Sequence, residues 1–216
     1  MNREERIAIF KEIDIYPVTC QELSEGRTNL EVLDAVLAGG AKIIQLREKC
    51  WSKKAIYEMA RGFRKRTLNR NVLLIINDHV DVALATGSDG VHLGQEDLPL
   101  KAARQIAPEL ILGASSHSVE AALQAQEDGA DYVNLGPIFP TMTKNGIDQF
   151  LGPDFIREVG PKLQVPFTTM GGINEKNIHQ VLQAGARRIA MVTGITRAQD
   201  IAAQTRNLRS IILPYI

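Results

Sequence analysis

The sequence predicts a single-domain α/β protein with the architecture of a (β/α)8 TIM barrel. A short phrase, in which a helix end is followed by glycine and a small apolar strand, recurs at residues 38–44, 86–92, 127–133 and 183–189. Glycine after a helix end readily adopts the left-handed conformation that terminates the helix. With the strands between the copies, the count reaches eight strand–helix units, and polar residues follow nearly every strand, as expected for such a barrel.

Four further strands are predicted between the copies, at residues 13–19, 72–76, 110–114 and 165–170. They are short and apolar without alternation, which is typical of parallel strands buried on both faces. Amphipathic helices follow, and the first begins at a Thr28…Glu31 capping box. The apolar stripes of three helices are Leu30, Leu33 and Val36; Ile56, Met59 and Phe63; and Ala121, Ala122 and Ala125.

The alternative architecture is an open, doubly wound sheet. It is less favoured because no G-x-G-x-x-G follows the first strand. We assign residues 13–216 to the barrel and residues 1–12 to an N-terminal extension or helix. This first segment is charged and lacks the apolar core of a signal peptide, and no apolar run is long enough to span a membrane, so a cytoplasmic location is expected.

Composition excludes several classes of function. Lys plus Arg equals Asp plus Glu, at 25 each, so no global basic charge indicates nucleic-acid or membrane-surface binding. Cys20 and Cys50 form neither a disulfide framework nor a zinc motif. Small-molecule partners are expected instead, and the sequence leaves a homo-oligomer open.

Polar residues after strands 2, 3 and 4 indicate a site for a metal and a diphosphate. Alternation places Gln45, Arg47 and Lys49 on one side of strand 2, where two cations suit phosphate groups. Asp78, which follows strand 3, and Asp97, which follows strand 4, supply two carboxylates for Mg²⁺. Each aspartate could instead be a helix N-cap, Asp78 for a helix from Val80 and Asp97 for a helix from Leu98.

The remaining strand ends carry hydroxyls, glycines and one lysine. Ser115 follows strand 5, and a long loop after strand 6 resembles a lid. Glycine-rich turns after strands 7 and 8 commonly present backbone N–H groups to a phosphate. The candidate residues in these segments are Thr141, Thr143, Lys144, Gly171, Gly172, Val192 and Thr193.

Taken together, these motifs resemble the thiamin phosphate synthase family. The resemblance is collinear over about residues 13–212 and is carried by Q-L-R-E-K at 45–49, G-Q-E-D at 94–97 and T-x-T-K at 141–144. It implies an enzyme that joins hydroxymethylpyrimidine diphosphate to hydroxyethylthiazole phosphate, giving thiamin phosphate and pyrophosphate. In the family, the diphosphate leaves first, and the thiazole nitrogen then attacks the resulting cation.

The resemblance also implies roles for residues. Mg²⁺ would lie on Asp78 and Asp97 and would neutralise the departing diphosphate. The catalytic residues would be Arg47, Lys49, Ser115 and Lys144. The same four residues, with Gln45 and Asn77, would bind the pyrimidine diphosphate. The thiazole phosphate would be bound by Thr141, Thr143, Gly171, Gly172, Val192 and Thr193.

Two positions depart from the family pattern, and other functions compete. Cys20 stands where Asp is frequent, and Thr169 stands where Gly is frequent and is expected to narrow the thiazole pocket. A thiazole tautomerase would use a histidine, with His117 as the candidate, and a non-catalytic ligand-binding regulator would lose the metal carboxylates. A phosphate-sugar isomerase would need Glu after strand 6, where Gly136 and Pro137 stand.

Overall fold

The eight strands form one parallel sheet that curves into a barrel, as the sequence predicts. The structure is a computed structural model, and it describes residues 1–141 and 149–216. Neighbouring strands pair in the order β1-β8-β7-β6-β5-β4-β3-β2, and a parallel bridge between Val18 and Gln45 brings the two ends of the sheet together. The strands are Ile15–Pro17 (β1), Ile43–Leu46 (β2), Leu73–Asn77 (β3), Gly90–Leu93 (β4), Ile111–Ser116 (β5), Tyr132–Leu135 (β6), Phe167–Thr169 (β7) and Ile189–Met191 (β8).

Helices surround the sheet, and two of them begin at caps that the sequence indicates. The Thr28–Glu31 capping box is formed, and Ser118 accepts a hydrogen bond from the backbone N–H of Ala121 at the start of the sixth helix. The helices are Arg3–Lys11 (α1), Asn29–Ala38 (α2), Lys53–Thr67 (α3), Val80–Thr86 (α4), Leu100–Ile106 (α5), Val119–Glu127 (α6), Gly152–Val159 (α7), Ile178–Gln183 (α8), Thr193–Thr196 (α9) and Ile201–Ile212 (α10). In the described ranges, no helix is long and apolar enough to cross a membrane.

The core has two layers because side chains alternate along each strand. On β3, Leu74 and Ile76 belong to the layer between strands and helices, whereas Leu73 and Ile75 belong to the barrel interior. The interior layer also contains buried aromatic side chains, namely Phe10, Tyr16 and Tyr132.

Helix α1 packs at the N-terminal end of the barrel. Its Phe10 is 1% exposed and stacks on Tyr132 of β6, with ring centroids 4.2 Å apart. Arg3 pairs with Asp131 at 2.5 Å, and Arg6 pairs with the fully buried Asp89 at 3.3 Å. The aromatic ring and the two arginines anchor this helix to the underside of the sheet, opposite the carboxyl ends of the strands.

Candidate active site

A pocket lies at the carboxyl ends of the barrel strands, where the sequence places the polar motifs. The predicted site residues that line it are Gln45, Arg47, Lys49, Asn77, Asp78, Ser115, Thr141, Gly171, Gly172, Val192 and Thr193. Asp97 lies beside Asp78 rather than in the pocket lining. Thr143 and Lys144, predicted to contact phosphate, fall outside the described residues.

The segment after β2 alternates as predicted. Gln45, Arg47 and Lys49 line the pocket, whereas Glu48 is buried on the other side of the backbone. Glu48 accepts hydrogen bonds of 2.7 Å from the backbone N–H of Gln21 and from the side-chain amide of Asn29. The acidic residue of this motif is therefore structural, and it fixes the loop after β1 next to the two cations.

The two aspartates are not helix caps. Helix α4 begins after His79, and α5 begins after Pro99, in each case without a side-chain capping bond. Asp78 has a left-handed backbone, φ 64°, and its N–H donates to the carbonyl oxygen of His92 at 2.8 Å. Asp97 instead accepts a 2.6 Å hydrogen bond from the backbone N–H of Gly94. The N-cap interpretation of these residues is therefore wrong.

The carboxyl groups of Asp78 and Asp97 lie close enough to shift each other's pKa, next to a lysine. Lys49 Nζ donates to Asp78 Oδ2 at 2.5 Å. Burial raises the pKa of Asp78, and the neighbouring Asp97 adds to this effect, while Lys49 opposes it. Burial acts in the same direction on Asp97, but hydrogen bonds from Asp78 and the Gly94 N–H outweigh it and lower the pKa of Asp97. Two neighbouring carboxyl groups whose pKa values shift in opposite directions lie close enough to bind one cation together.

This pair fits the donor set of Mg²⁺. That ion is a hard cation that takes oxygen ligands, keeps several waters and commonly bridges one or two carboxylates to substrate phosphates. Within residues 1–141 and 149–216, no group of three or more His, Cys, Asp and Glu side chains is arranged to hold a metal ion. A metal at Asp78 and Asp97 would therefore need water and ligand oxygens to complete its coordination.

On the opposite side of the pocket, the turn after β7 packs tightly on the segment after β6. Gly171 has φ 102°, and a Cβ atom at this position would lie 2.5 Å from the Cα atom of Pro137. The backbone N–H of Phe139 donates to the carbonyl oxygen of Gly171 at 3.0 Å. Glycine is thus required here by both backbone conformation and space, and it brings the turn and the Thr141 segment to one wall of the pocket.

The pocket lining also includes buried polar residues that were not predicted to belong to the site, among them Tyr16, His92, Asn134 and Thr168. All four are buried within or beside strands. Thr168 Oγ1 donates to Asn134 Oδ1 at 2.8 Å. Burial lowers the pKa of His92 to about 4, so the ring is neutral at neutral pH. The sequence did contain one indication of such residues. Asn134 is a polar residue within the otherwise apolar segment 132–135, which is typical of a side chain that faces a pocket inside the barrel.

Thr169 does not narrow the pocket as expected. Its neighbour Thr168 lines the cavity, whereas Thr169 is fully buried and is absent from the lining. Successive side chains of a strand point to opposite faces, so the residue at the family's frequent glycine position here faces away from the cavity.

Comparison with known proteins identifies the family of this chain. A family model described as thiamine monophosphate synthase matches residues 15–195. The chain belongs to the thiamine monophosphate synthase family. Membership makes it a transferase enzyme of thiamine biosynthesis and supports thiamine-phosphate synthase activity.

Relatives of known name agree with this assignment. The thiamine-phosphate synthase of Dictyoglomus thermophilum is 41% identical, over 100% of this chain and 97% of the relative. That of Caldicellulosiruptor saccharolyticus is 43% identical, over 98% and 96% respectively. A solved thiamine phosphate pyrophosphorylase from Pyrococcus furiosus superimposes with a TM-score of 0.87 at 36% identity, covering 94% of this chain and 97% of that one.

A more distant structure shares the fold alone. A 3-hexulose-6-phosphate synthase has a TM-score of 0.68 at 19% identity, covering 93% of this chain and 100% of the other. The barrel therefore hosts different reactions in different proteins, and the chemistry of this member of the thiamine monophosphate synthase family depends on the residues at its strand ends.

Proposed function

We propose that this protein condenses 4-amino-5-hydroxymethyl-2-methylpyrimidine diphosphate with hydroxyethylthiazole phosphate, releasing thiamin phosphate and pyrophosphate. The observation that carries the proposal is the cluster of Lys49, Asp78 and Asp97, with Arg47 lining the same pocket. Cations and paired carboxylates at one pocket edge suit a diphosphate bound together with a divalent metal.

The residues of the chain act mainly on the leaving group. Arg47 and Lys49 would bind the diphosphate oxygens and stabilise the charge that develops on them as the bond to carbon breaks. Mg²⁺, held by Asp78 and Asp97, would supply further neutralisation of the leaving diphosphate. Lys49 would exchange its contact with Asp78 for one with the diphosphate when the substrate binds.

The second substrate needs orientation rather than activation. The thiazole nitrogen is already nucleophilic, so no general base is required at this wall of the pocket. Thr141, Gly171, Gly172, Val192 and Thr193 would bind the thiazole phosphate and set the nitrogen against the pyrimidine carbon. Gln45, Asn77 and Ser115 would hold the pyrimidine ring and diphosphate, and Thr143 and Lys144 would contribute from the loop after β6.

A thiazole tautomerase is the competing function that one observation favours. His117 lines the pocket, and its Nδ1 donates to the carbonyl oxygen of Gly136. A tautomerase would act on the thiazole phosphate alone and would release no pyrophosphate. The retained carboxylates and cations favour the condensation over this reaction.

The deciding experiment is a pyrophosphate-release assay with both substrates, in the presence and absence of EDTA. We expect release that requires both substrates and is lost when EDTA removes divalent metal. Release that persists unchanged in EDTA would contradict the metal part of the proposal. Absence of pyrophosphate from the substrate pair would contradict the condensation itself.

The control for this assay compares a lysine–aspartate ion pair in the pocket with a similar ion pair on the surface. We expect Lys49→Ala, Asp78→Ala and Asp97→Ala each to lower turnover by about 10²-fold or more, because each removes charge stabilisation of the leaving group. Lys53 and Asp81 form an ion pair of the same type at 3.0 Å on the exposed surfaces of α3 and α4. Lys53→Ala and Asp81→Ala should keep wild-type turnover; an equal loss in these variants would show that general destabilisation, and not site chemistry, is being measured.

A further inference from the structure

A chain of five hydrogen-bonded side chains crosses the barrel interior beneath the pocket. Gln45 Nε2 lies 3.0 Å from the Tyr16 hydroxyl, which lies 2.9 Å from the Tyr132 hydroxyl. The Tyr132 hydroxyl lies 3.0 Å from His92 Nδ1, and His92 Nε2 lies 2.9 Å from Ser115 Oγ. We refer to these five residues as the interior chain. Gln45 and Ser115, at its two ends, line the pocket from β2 and β5, as do Tyr16 and His92 between them, whereas Tyr132 lies behind the pocket wall.

The direction of donation along the interior chain follows from its first member. An amide nitrogen donates only, so the Tyr16 hydroxyl accepts from Gln45 and has its own proton left to give. That proton goes to the Tyr132 oxygen, and the Tyr132 proton then goes to His92 Nδ1. A neutral imidazole with an accepting Nδ1 carries its proton on Nε2, so His92 donates to Ser115 Oγ.

If the hydrogen bonds ran in the opposite direction, from His92 towards Tyr16, one buried donor would be left without an acceptor. If His92 Nδ1 donated to Tyr132 and Tyr132 donated to Tyr16, the Tyr16 oxygen would accept twice. Its own proton would then have no acceptor among the described side chains. Tyr16 is 1% exposed, and a buried donor without a partner loses the hydrogen bond that it made to water in the unfolded chain. The forward direction leaves no such donor.

We propose that Tyr16, Tyr132 and His92 are positioning residues that fix the Ser115 hydroxyl as a hydrogen-bond donor to the substrate. Since Ser115 Oγ already accepts from His92, its own proton is directed to a ligand atom in the pocket. A donor at this point suits an acceptor oxygen or ring nitrogen of the diphosphate substrate. The inference rests on the proposed function only in taking this pocket as the substrate site.

The ring of Tyr132 is held where the interior chain needs it. Phe10 of α1 stacks on it at 4.2 Å, and His92 lies over it at 5.6 Å. Gly113 on the neighbouring strand β5 provides the space, because a Cβ atom there would overlap the Tyr132 ring. The hydroxyl is thus placed by packing on three sides, which is what a positioning role requires.

The first test reads the tautomer of His92 directly by ¹⁵N NMR of the imidazole nitrogens in the wild-type protein without ligand. His92 is the buried histidine, whereas His117 and His179 are exposed and His79 is half-buried, so its signals can be separated by solvent exchange. We expect Nε2 to be protonated and Nδ1 to be bare. Protonation on Nδ1 would reverse the interior chain and overturn the proposal.

The second test breaks the interior chain in its middle. Tyr132→Phe keeps the stacked ring but removes the hydroxyl, so His92 should lose its fixed tautomer and turnover should fall on the order of tenfold, the effect of one hydrogen bond. Tyr57→Phe, on α3, removes the same hydroxyl away from the pocket and should change neither the tautomer nor the turnover. Wild-type turnover in Tyr132→Phe alongside a clear loss in Ser115→Ala would also overturn the proposal.

The outcomes separate this inference from the proposed function. The expected tautomer in a protein that releases no pyrophosphate would reject the proposed reaction and leave the arrangement of the interior chain supported. The wrong tautomer in a protein that does release pyrophosphate would reject the inference and leave the reaction supported.

Discussion

His92 shows how strongly the barrel interior controls a single residue. The ring is 7% exposed, and its two nitrogens contact the hydroxyl groups of Tyr132 and Ser115. Because burial penalises the charged imidazolium, the pKa of His92 falls to about 4, from 6.5 for the free side chain. The neutral ring, which alone can accept from Tyr132 at Nδ1 while it donates to Ser115 from Nε2, is therefore a property of the folded protein.

Stability should depend on pH through this residue. Between about pH 6.5 and 4 the unfolded chain binds a proton at His92 that the folded protein does not bind, so the free energy of unfolding falls as the pH is lowered through this interval. The full contribution is roughly 3 kcal/mol for a shift of this size. Urea unfolding at pH 7, 5.5 and 4 would measure it.

The control for the pH series uses another histidine. His92→Gln should flatten the loss of stability between pH 6.5 and 4 relative to wild type. His179→Gln removes the same ring from the exposed face of α8 and should keep the wild-type slope. If His92→Gln and wild type showed parallel profiles, burial of this ring would not be the source of the acid sensitivity.

Among the elements, the turn after β7 has the strictest requirements. Gly171 combines φ 102° with close contact to the backbone of Pro137. Gly185, after α8, has almost the same φ of 107°, but an added methyl group there would meet no neighbouring atom within 4 Å. Substitutions at the two glycines can therefore distinguish the cost of a left-handed backbone, which both share, from the cost of steric crowding, which arises only at Gly171.

We expect Gly171→Ala to be more destabilising than Gly185→Ala. Both substitutions incur about 1–2 kcal/mol from the left-handed backbone. Gly171→Ala adds about 1–3 kcal/mol because the methyl group forces Pro137 and the turn apart. The difference in urea midpoint between the two variants measures crowding alone, and equal midpoints would contradict close packing of this wall. Only Gly171→Ala should also raise the KM for the proposed second substrate, the thiazole phosphate.

On the scale of the whole molecule, the two ends of the barrel have different tasks. The carboxyl ends of the strands carry the pocket, while the opposite end carries buried arginine–aspartate pairs. Asp89 is fully buried and accepts from Arg6 at 3.3 Å, from Arg64 at 2.9 Å and from the backbone N–H of Leu74 at 2.9 Å. This carboxylate joins α1, α3 and the start of β3.

Removing that carboxylate should lower stability without altering the chemistry. Asp89→Asn leaves two guanidinium groups partly unpaired, and breaking a buried ion pair typically costs about 3–5 kcal/mol. We expect a lower urea midpoint but wild-type turnover at room temperature. Asp34 pairs with Arg66 on the surface, so Asp34→Asn should cost at most about 1 kcal/mol. An equal loss of stability in both variants would show that the buried ion pair contributes no more to stability than the exposed one.

The sequence was sufficient for the order of the elements and for most of the pocket wall. Glycines after helix ends mark the start of several strands, and residues at parallel strand ends must share one face, which brings Gln45, Asp78 and Ser115 together. Tyr16 and Tyr132 could not be paired in this way. They are 116 positions apart, and their contact depends on the register with which the sheet closes, which no local pattern encodes.

The role of α1 was hidden for the same reason. The first twelve residues are predicted only as a charged extension or helix, since their one aromatic side chain, Phe10, gives no periodic signal. Only the closed barrel creates the cavity that this ring fills. The backbone of Asp78 is a second case, because a left-handed aspartate at a strand end cannot be distinguished from a helix cap until the following helix is placed.

The stacking of Phe10 on Tyr132 has a consequence for protein engineering. Substitutions chosen on the underside of the barrel to raise heat tolerance would not contact the pocket at the carboxyl ends of the strands. Phe10 is the exception, because its ring supports the hydroxyl that determines the tautomer of His92. Substitutions at Phe10 would therefore change thermal stability and turnover together. If Phe10 is kept, the two properties should be open to independent improvement.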